Sequence, residues 1–155
     1  MLPAKDRIET EAITANKNRK KRILTIDDDK DTSSSLKIVL EQSGLFEVDA
    51  FDDPTQALAS FKSNRYDAVI LDVRMSDMDG FDIYKTIKML DEKIKVCFLT
   101  SVYDFDHYRT LYPDIVHTIE KNEDCIMDKP VGTEQLIREI NKVLRSQKGE
   151  IIQEK

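Results

Sequence analysis

The segment AVILDVRMSDMDG, residues 68–80, carries the clearest fold signal in the chain. Its first four residues form an unbroken apolar run, which is typical of a central parallel strand buried on both faces. Asp72 follows at once, and after Gly80 the apolar residues recur at helical spacing. The stretch therefore predicts a buried strand that ends in an acid and leads through a short loop into a helix.

The same unit recurs along the chain on both sides of this stretch. Further strands are predicted at 22–27, 46–51, 94–100 and 125–127, and helices at 32–43, 54–61, 81–90, 104–112 and 133–144. Gly44 is a C-cap signal, and Asp53 is an N-cap with Pro54 in the first turn. The alternation predicts an α/β fold, a doubly wound five-stranded parallel sheet with helices on both faces.

Length and composition limit the class of protein. The chain has 155 residues, which fits one domain over 21–146 with a polar, basic tail at 1–20 and a C-terminal tail at 147–155. A net charge of −6 makes nucleic acid an unlikely partner, although the basic run at 17–22 keeps a weak hypothesis of DNA binding open. No segment resembles a signal peptide or a membrane span, so we expect a cytoplasmic location and no membrane partner. Cys97 and Cys125 are expected to be buried free thiols.

Polar residues follow several of the predicted strands. Asp27, Asp28 and Asp29 end the first strand, Asp72 ends the third and Thr100 the fourth, and Lys129 comes shortly after the fifth. Because ligands of open parallel sheets bind outside the carboxyl ends of the strands, these residues are expected to meet in one crevice. Clustered carboxylates favour Mg²⁺, and a lysine and a hydroxyl suit phosphoryl oxygens, so the set suggests phosphoryl transfer. An isolated Asp-Asp-Asp would more often cap a helix.

These motifs together resemble the receiver domain of bacterial and archaeal response regulators. The resemblance rests on ILTIDDD (23–29), VILDVRMSDMDG (69–80), FLTS (98–101) and DKP (128–130), and it covers roughly residues 22–146. It implies the flavodoxin-like (βα)5 fold with strand order 2-1-3-4-5. It also implies a protein that is not an enzyme in the usual sense but takes part in its own phosphorylation and dephosphorylation.

The resemblance also implies a role for each matching residue. Asp72 would be the phosphoacceptor, and Asp27 and Asp28 would bind Mg²⁺ together with Asp72 and the backbone carbonyl of Arg74. Thr100 would bond a phosphoryl oxygen and move on activation. Lys129 would pair with the phosphoryl group. The turn after it would contain Pro130, commonly with a cis peptide bond, and Gly80 would permit the tight turn before the third helix.

The sequence departs from the family pattern at several positions. Ser76 stands where a proline is usual, from which we expect a change in loop stiffness and little else. Ile126 replaces the aromatic that often acts as a rotamer switch, so activation is expected to use the fourth helix and its loops. Asp128 either pairs with Lys129 or points outward. The segment between Thr100 and Lys129 is longer than usual, with the extra residues expected at 112–124, and neither His107 nor His117 is assigned a catalytic role.

The function expected from the resemblance is a stand-alone phosphorylation switch. A histidine kinase or a phosphotransfer protein would supply the phosphoryl group, and the short segment after the last helix suggests that the output is a downstream protein contact or a phosphorelay. One alternative is a pseudo-receiver that binds partners without phosphotransfer. Another is an aspartyl-phosphate phosphatase of the haloacid-dehalogenase type, but its second acid is missing because Arg74 stands two positions after Asp72.

Overall fold

The computed structural model of the chain describes residues 19–76 and 78–146, apart from the side chains of residues 102, 103 and 146. The strands are β1 (Lys21–Ile26), β2 (Phe46–Phe51), β3 (Ala68–Leu71), β4 (Lys95–Thr100) and β5 (Cys125–Asp128). The helices are α1 (Lys30–Gln42), α2 (Pro54–Ser60), α3 (Gly80–Leu90), α4 (Val102–Leu111), α5 (Pro113–Lys121) and α6 (Thr133–Ser146). Nearly all of the two predicted tails, residues 1–18 and 147–155, lies outside the described ranges.

The five strands form one parallel sheet in the order β2-β1-β3-β4-β5. β3 pairs with β1 on one side and with β4 on the other, and all four of its residues are buried. This central position explains its unbroken apolar run, because a strand covered by helices on both faces has no solvent-facing side. The predicted doubly wound, flavodoxin-like sheet with order 2-1-3-4-5 is confirmed.

Two apolar cores cover the two faces of the sheet. On one face α1 and α6 pack against the strands, with fully buried Leu40 and Ile140 among their contacts. On the other face α2, α3, α4 and α5 pack, and Phe81 of α3 forms edge-on ring contacts with Phe98 of β4 and Phe105 of α4. Burial of these apolar side chains is the main favourable contribution to folding.

Local signals in the sequence set several helix ends. Asp53 caps α2 by accepting a hydrogen bond from the Thr55 amide at 2.9 Å, and Pro54 is the first residue of the helix. After α1 the chain turns at Gly44, whose φ of +79° lies in the left-handed region that glycine tolerates. Both predictions are confirmed.

The segment 112–124, where the extra residues are expected but no helix is predicted, contains a helix. The helix predicted at 104–112 ends at Leu111, and Pro113 begins the further helix α5. The first turn of a helix tolerates proline because its missing N–H would have no partner there. Val116 and Ile119 of α5 are buried in the core, so the extra residues form an additional packed helix, which brings the described helices to six.

Two smaller predictions need correction. The helical spacing of apolar residues in 81–90 would place Leu90 on the apolar face of α3, but Leu90 is 50% exposed, whereas Ile83 is buried. Cys97 is buried as expected, whereas Cys125 is partly exposed; both are free thiols. Among the described helices, none is both long and apolar enough to cross a membrane.

Candidate active site

The predicted site residues converge at the carboxyl end of the sheet. Asp27 directly follows β1, Asp72 follows β3, Thr100 is the last residue of β4 and Lys129 follows β5. These four strands are consecutive neighbours in the sheet. Because parallel strands end at the same edge, residues that are far apart in the sequence form one polar crevice.

Lys129 joins the two buried acids of this crevice. Its Nζ lies 3.0 Å from Oδ2 of Asp27 and 3.4 Å from Oδ2 of Asp72. Burial alone would lower the pKa of the Lys129 ammonium, but the hydrogen bonds and charges of Asp27 and Asp72 raise it above its ordinary value. Lys129 is therefore a fixed positive charge between two carboxylates.

Asp72 has the environment of a tuned carboxylate. It is 8% exposed, and its Oδ1 accepts a hydrogen bond of 3.4 Å from the amide of Arg74. Burial, followed by the negative charge of Asp27, raises the pKa of Asp72 from 3.8 to about 6, although Lys129 opposes the shift. The Asp72 carboxylate is thus mostly ionised at neutral pH, but the positive charge that the protein places beside it compensates its negative charge only in part.

The Asp-Asp-Asp triplet divides into two roles. Asp29 caps α1, since its Oδ1 accepts hydrogen bonds from the amides of Asp31 at 3.0 Å and Thr32 at 3.2 Å. The predicted alternative of helix capping is therefore correct for Asp29. Asp27 and Asp28, in contrast, join Asp72 in the acid cluster.

The acid cluster suits a divalent cation. One carboxylate oxygen from each of Asp27, Asp28 and Asp72 lies within 4.8 Å of the others. Lys129 supplies one positive charge against these three negative ones, so two negative charges stay uncompensated. Oxygen-only ligands at this spacing fit Mg²⁺, which accepts one or two carboxylates and keeps several waters.

Thr100 contributes an unused hydroxyl at the crevice. The side chain is 2% exposed, and its Oγ1 has no hydrogen-bond partner in the part of the chain that the structure describes. A buried hydroxyl usually has a partner, because leaving it unpaired costs about 1–3 kcal/mol. The next residue, Ser101, caps α4 through a 3.0 Å hydrogen bond from the amide of Asp104. Thr100 is thus free to bond a ligand and is directly connected to α4.

Gly80 lies where the chain approaches the backbone after β3 closely. Its backbone is not left-handed, but a Cβ atom there would meet the carbonyl oxygen of Asp72 and would lie 2.6 Å from Cα of Val73. The Gly80 amide also donates a 2.8 Å hydrogen bond to the Val73 carbonyl. The glycine lets the start of α3 pack against the backbone that carries Asp72.

The loop after Asp72 makes two contacts that the sequence analysis does not predict. Oδ2 of Asp28 accepts two hydrogen bonds of 2.7 Å from Ser76, one from the amide and one from the hydroxyl. Nη1 of Arg74 lies 3.4 Å from Oδ1 of Asp104 in the first turn of α4. The only signal for the first contact was a serine in place of a proline, which adds two hydrogen-bond donors.

The other residues named from the sequence lie on β5, in the turn after it, and on α4 and α5. The Lys129–Pro130 peptide bond is cis, as expected. Ile126 is 42% exposed on β5. Asp128 is exposed, and Lys129 makes its ion pairs with Asp27 and Asp72. Both histidines, in α4 and α5, are exposed and lie outside the crevice: His107 and His117.

Comparison with known proteins gives matches over most of the chain. The sequence profile described as "Response regulator receiver domain" matches residues 23–141. The transcriptional regulatory protein PrrA of Mycobacterium tuberculosis is 33% identical over 124 residues, which are 80% of this chain and 50% of the relative. RprY of Bacteroides fragilis, also named a transcriptional regulatory protein, is 28% identical over 85% of this chain and 52% of its own length. The chain thus spans about half the length of these curated relatives.

Solved structures agree on the fold. A response regulator receiver domain protein from Clostridium thermocellum superposes with a TM-score of 0.70 at 27% identity, covering 84% of this chain and 99% of that one. A receiver domain protein described as CheY-like, from Methanospirillum hungatei, gives a TM-score of 0.69 at 24% identity over 85% of this chain and 99% of its own. The second likeness concerns the fold alone.

Proposed function

The chain belongs to the response regulator receiver domain family, and from this premise we propose that it is a switch that accepts a phosphoryl group on Asp72. The donor is a phosphohistidine of a histidine kinase or phosphotransfer protein, and the reaction uses Mg²⁺. The observation that carries the proposal is the contact of Lys129 with both Asp27 and Asp72 beside a third carboxylate, Asp28.

Asp72 is the nucleophile in this proposal. One of its carboxylate oxygens attacks phosphorus, a P–O bond forms and the P–N bond of the donor breaks. The imidazole leaves with the bonding electron pair and takes up a proton. The ionised state of Asp72 at neutral pH supports the role, because only the carboxylate is nucleophilic.

Lys129 and Thr100 bind the transferred group. The Lys129 ammonium already lies 3.4 Å from Oδ2 of Asp72, so it can form an ion pair with the phosphoryl oxygens once the group is attached there. The Thr100 hydroxyl, which lacks a partner within the described ranges, can donate to another of these oxygens. Positioning and charge neutralisation of this kind supply most of the catalysis in phosphoryl transfer.

Asp27, Asp28 and Asp72 would hold Mg²⁺, with the backbone carbonyl of Arg74 as a further ligand. When bound, the ion would neutralise the excess negative charge of the carboxylates and of the incoming phosphoryl oxygens. The two uncompensated charges of the cluster support this assignment.

The output of the switch passes through α4. A shift of Thr100 toward the phosphoryl group would move the adjoining Ser101, which caps α4. Arg74, two residues after Asp72, contacts the same first turn through Asp104. Ile126, in place of the usual aromatic, is exposed and lacks a ring to flip, which supports α4 as the moving element.

The partners of the switch are proteins. The donor is a histidine kinase or phosphotransfer protein. The signal then passes from this chain to a downstream protein or to the next member of a phosphorelay. Relatives of about twice this length are named transcriptional regulators. That activity belongs to those whole proteins, and for the residues described here we propose the receiver step.

The test is phosphorylation by a small donor. The protein is incubated with acetyl phosphate and MgCl₂, and its intact mass is measured beside Asp72→Asn and a sample with EDTA. We expect one added phosphoryl group on the wild type with MgCl₂ and none in the two controls. An unmodified wild type would favour a pseudo-receiver, and equal addition to Asp72→Asn would place the acceptor elsewhere.

A further inference from the structure

Ser76 makes an unusual contact with the acid cluster. Its amide and its hydroxyl both donate hydrogen bonds of 2.7 Å to the same oxygen, Oδ2 of Asp28. Two donors on one carboxylate oxygen fix both the position of the carboxylate and the direction in which it faces. We call these two hydrogen bonds the Ser76 clamp.

The clamp connects two loops at the edge of the sheet. Asp28 lies between β1 and α1, and Ser76 lies between β3 and α3; β1 and β3 are neighbouring strands. A half-buried aspartate at the edge of a crevice can adopt several rotamers, and each donor reduces that freedom. The Ser76 clamp therefore orders one wall of the crevice before any ligand arrives.

Proline, which the family resemblance leads one to expect at this position, could make neither bond. It has no amide hydrogen and no hydroxyl. Both hydrogen bonds to the Asp28 carboxylate depend on a residue other than proline at position 76.

We propose that Ser76 is a positioning residue that fixes Asp28 as a ligand of the divalent cation, so that the cation site is preorganised by a contact between two loops. Ser76 itself does not touch the cation in this proposal. The inference rests on the proposed function, because it assumes that Asp27, Asp28 and Asp72 hold the ion. Groups that orient a metal ligand commonly change metal affinity by about 10–100-fold when they are removed.

The test measures cation affinity directly. The full chain is titrated with MgCl₂ at pH 7 and constant ionic strength, and binding is followed by the amide NMR signals around the crevice. Ser76→Ala keeps the amide donor, Ser76→Thr keeps both donors, and Ser76→Pro removes both. Ser34→Ala, at an exposed position on α1, is the matched control. Urea unfolding without metal is measured on every variant to separate affinity from stability.

The proposal predicts a graded loss of affinity. Because the clamp is partly exposed, the loss should lie near the lower end of the range, about 10-fold for Ser76→Ala and more for Ser76→Pro. Ser76→Thr and Ser34→Ala should bind like the wild type. Equal affinity in Ser76→Ala and the wild type would overturn the clamp even if Ser76→Pro failed to fold. A wild type that binds no Mg²⁺ would instead overturn the proposed cation site, and the clamp with it.

Discussion

Replacing Asp72 by asparagine should stabilise the metal-free protein. Burial, and then the charge of Asp27, raises the pKa of Asp72 from 3.8 to about 6 in the folded state. An acid with a raised pKa in the folded protein makes the folded state bind more protons than the unfolded chain between about pH 4 and pH 6. The contribution of Asp72 to the free energy of unfolding therefore falls as the pH rises through that window. Above the window, the ionised Asp72 destabilises the folded state by the full amount.

The size of the effect follows from the shift. A difference of about 2 pKa units corresponds to about 3 kcal/mol at neutral pH. This value is already net of the attraction between Asp72 and Lys129, whose Nζ lies 3.4 Å from Oδ2, because that attraction opposes the shift. Asp72→Asn should thus raise the free energy of unfolding by up to about 3 kcal/mol at pH 7.

The assay is urea unfolding followed by circular dichroism, with EDTA present, at a series of pH values from 4 to 7.5. The stability difference between Asp72→Asn and the wild type should shrink as the pH falls below 6. Asp106→Asn, at an exposed acid of α4, is the control and should change stability by less than about 0.5 kcal/mol. With MgCl₂ in place of EDTA, the wild type should gain stability and the variant much less. A raised pKa of Asp72 would be contradicted if Asp72→Asn were less stable than the wild type, or if the difference did not depend on pH.

Four further changes test other parts of the structure. Lys129→Ala should raise the pKa of Asp72 above about 6, because Lys129 is the main group that opposes the shift; a carbonyl ¹³C NMR titration in EDTA checks this, and an unchanged value contradicts it. Gly80→Ala should destabilise the fold by about 2–3 kcal/mol in urea unfolding, because its Cβ would collide with backbone beside Asp72. Gly44→Ala, which has open space but a left-handed φ, should cost only about 1 kcal/mol. Ile119→Ala should cost about 2–4 kcal/mol, and a near-neutral result would mean that α5 is not part of the core.

The sequence was sufficient for the fold because its apolar runs have the lengths and spacing of buried strands and amphipathic helices. The sequence also predicted most of the crevice, since Asp27, Asp72, Thr100 and Lys129 all lie at strand ends, where a parallel sheet brings them together. The division of roles within the Asp-Asp-Asp triplet was not predictable. Three adjacent carboxylates look alike in a sequence, and only the direction of the chain entering α1 makes Asp29 the cap.

The features that the sequence did not reveal depend on contacts between distant segments. Proline marks both ends and beginnings of helices, so Pro113 alone could not predict α5. The role of Gly80 follows from the close approach of α3 to the end of β3, which no local pattern encodes. Ser76 was expected to affect loop stiffness and little else, but two neighbouring strands bring it against Asp28.

The most direct test of the central claim is to locate the phosphoryl group. The protein is phosphorylated with acetyl phosphate and MgCl₂ and then treated with borohydride, which reduces an acyl phosphate of aspartate to homoserine. Tandem mass spectrometry of the digest identifies the converted residue. We expect homoserine at position 72 and at no other acid of the crevice. Conversion at Asp27 or Asp28, or no conversion at all, would contradict it.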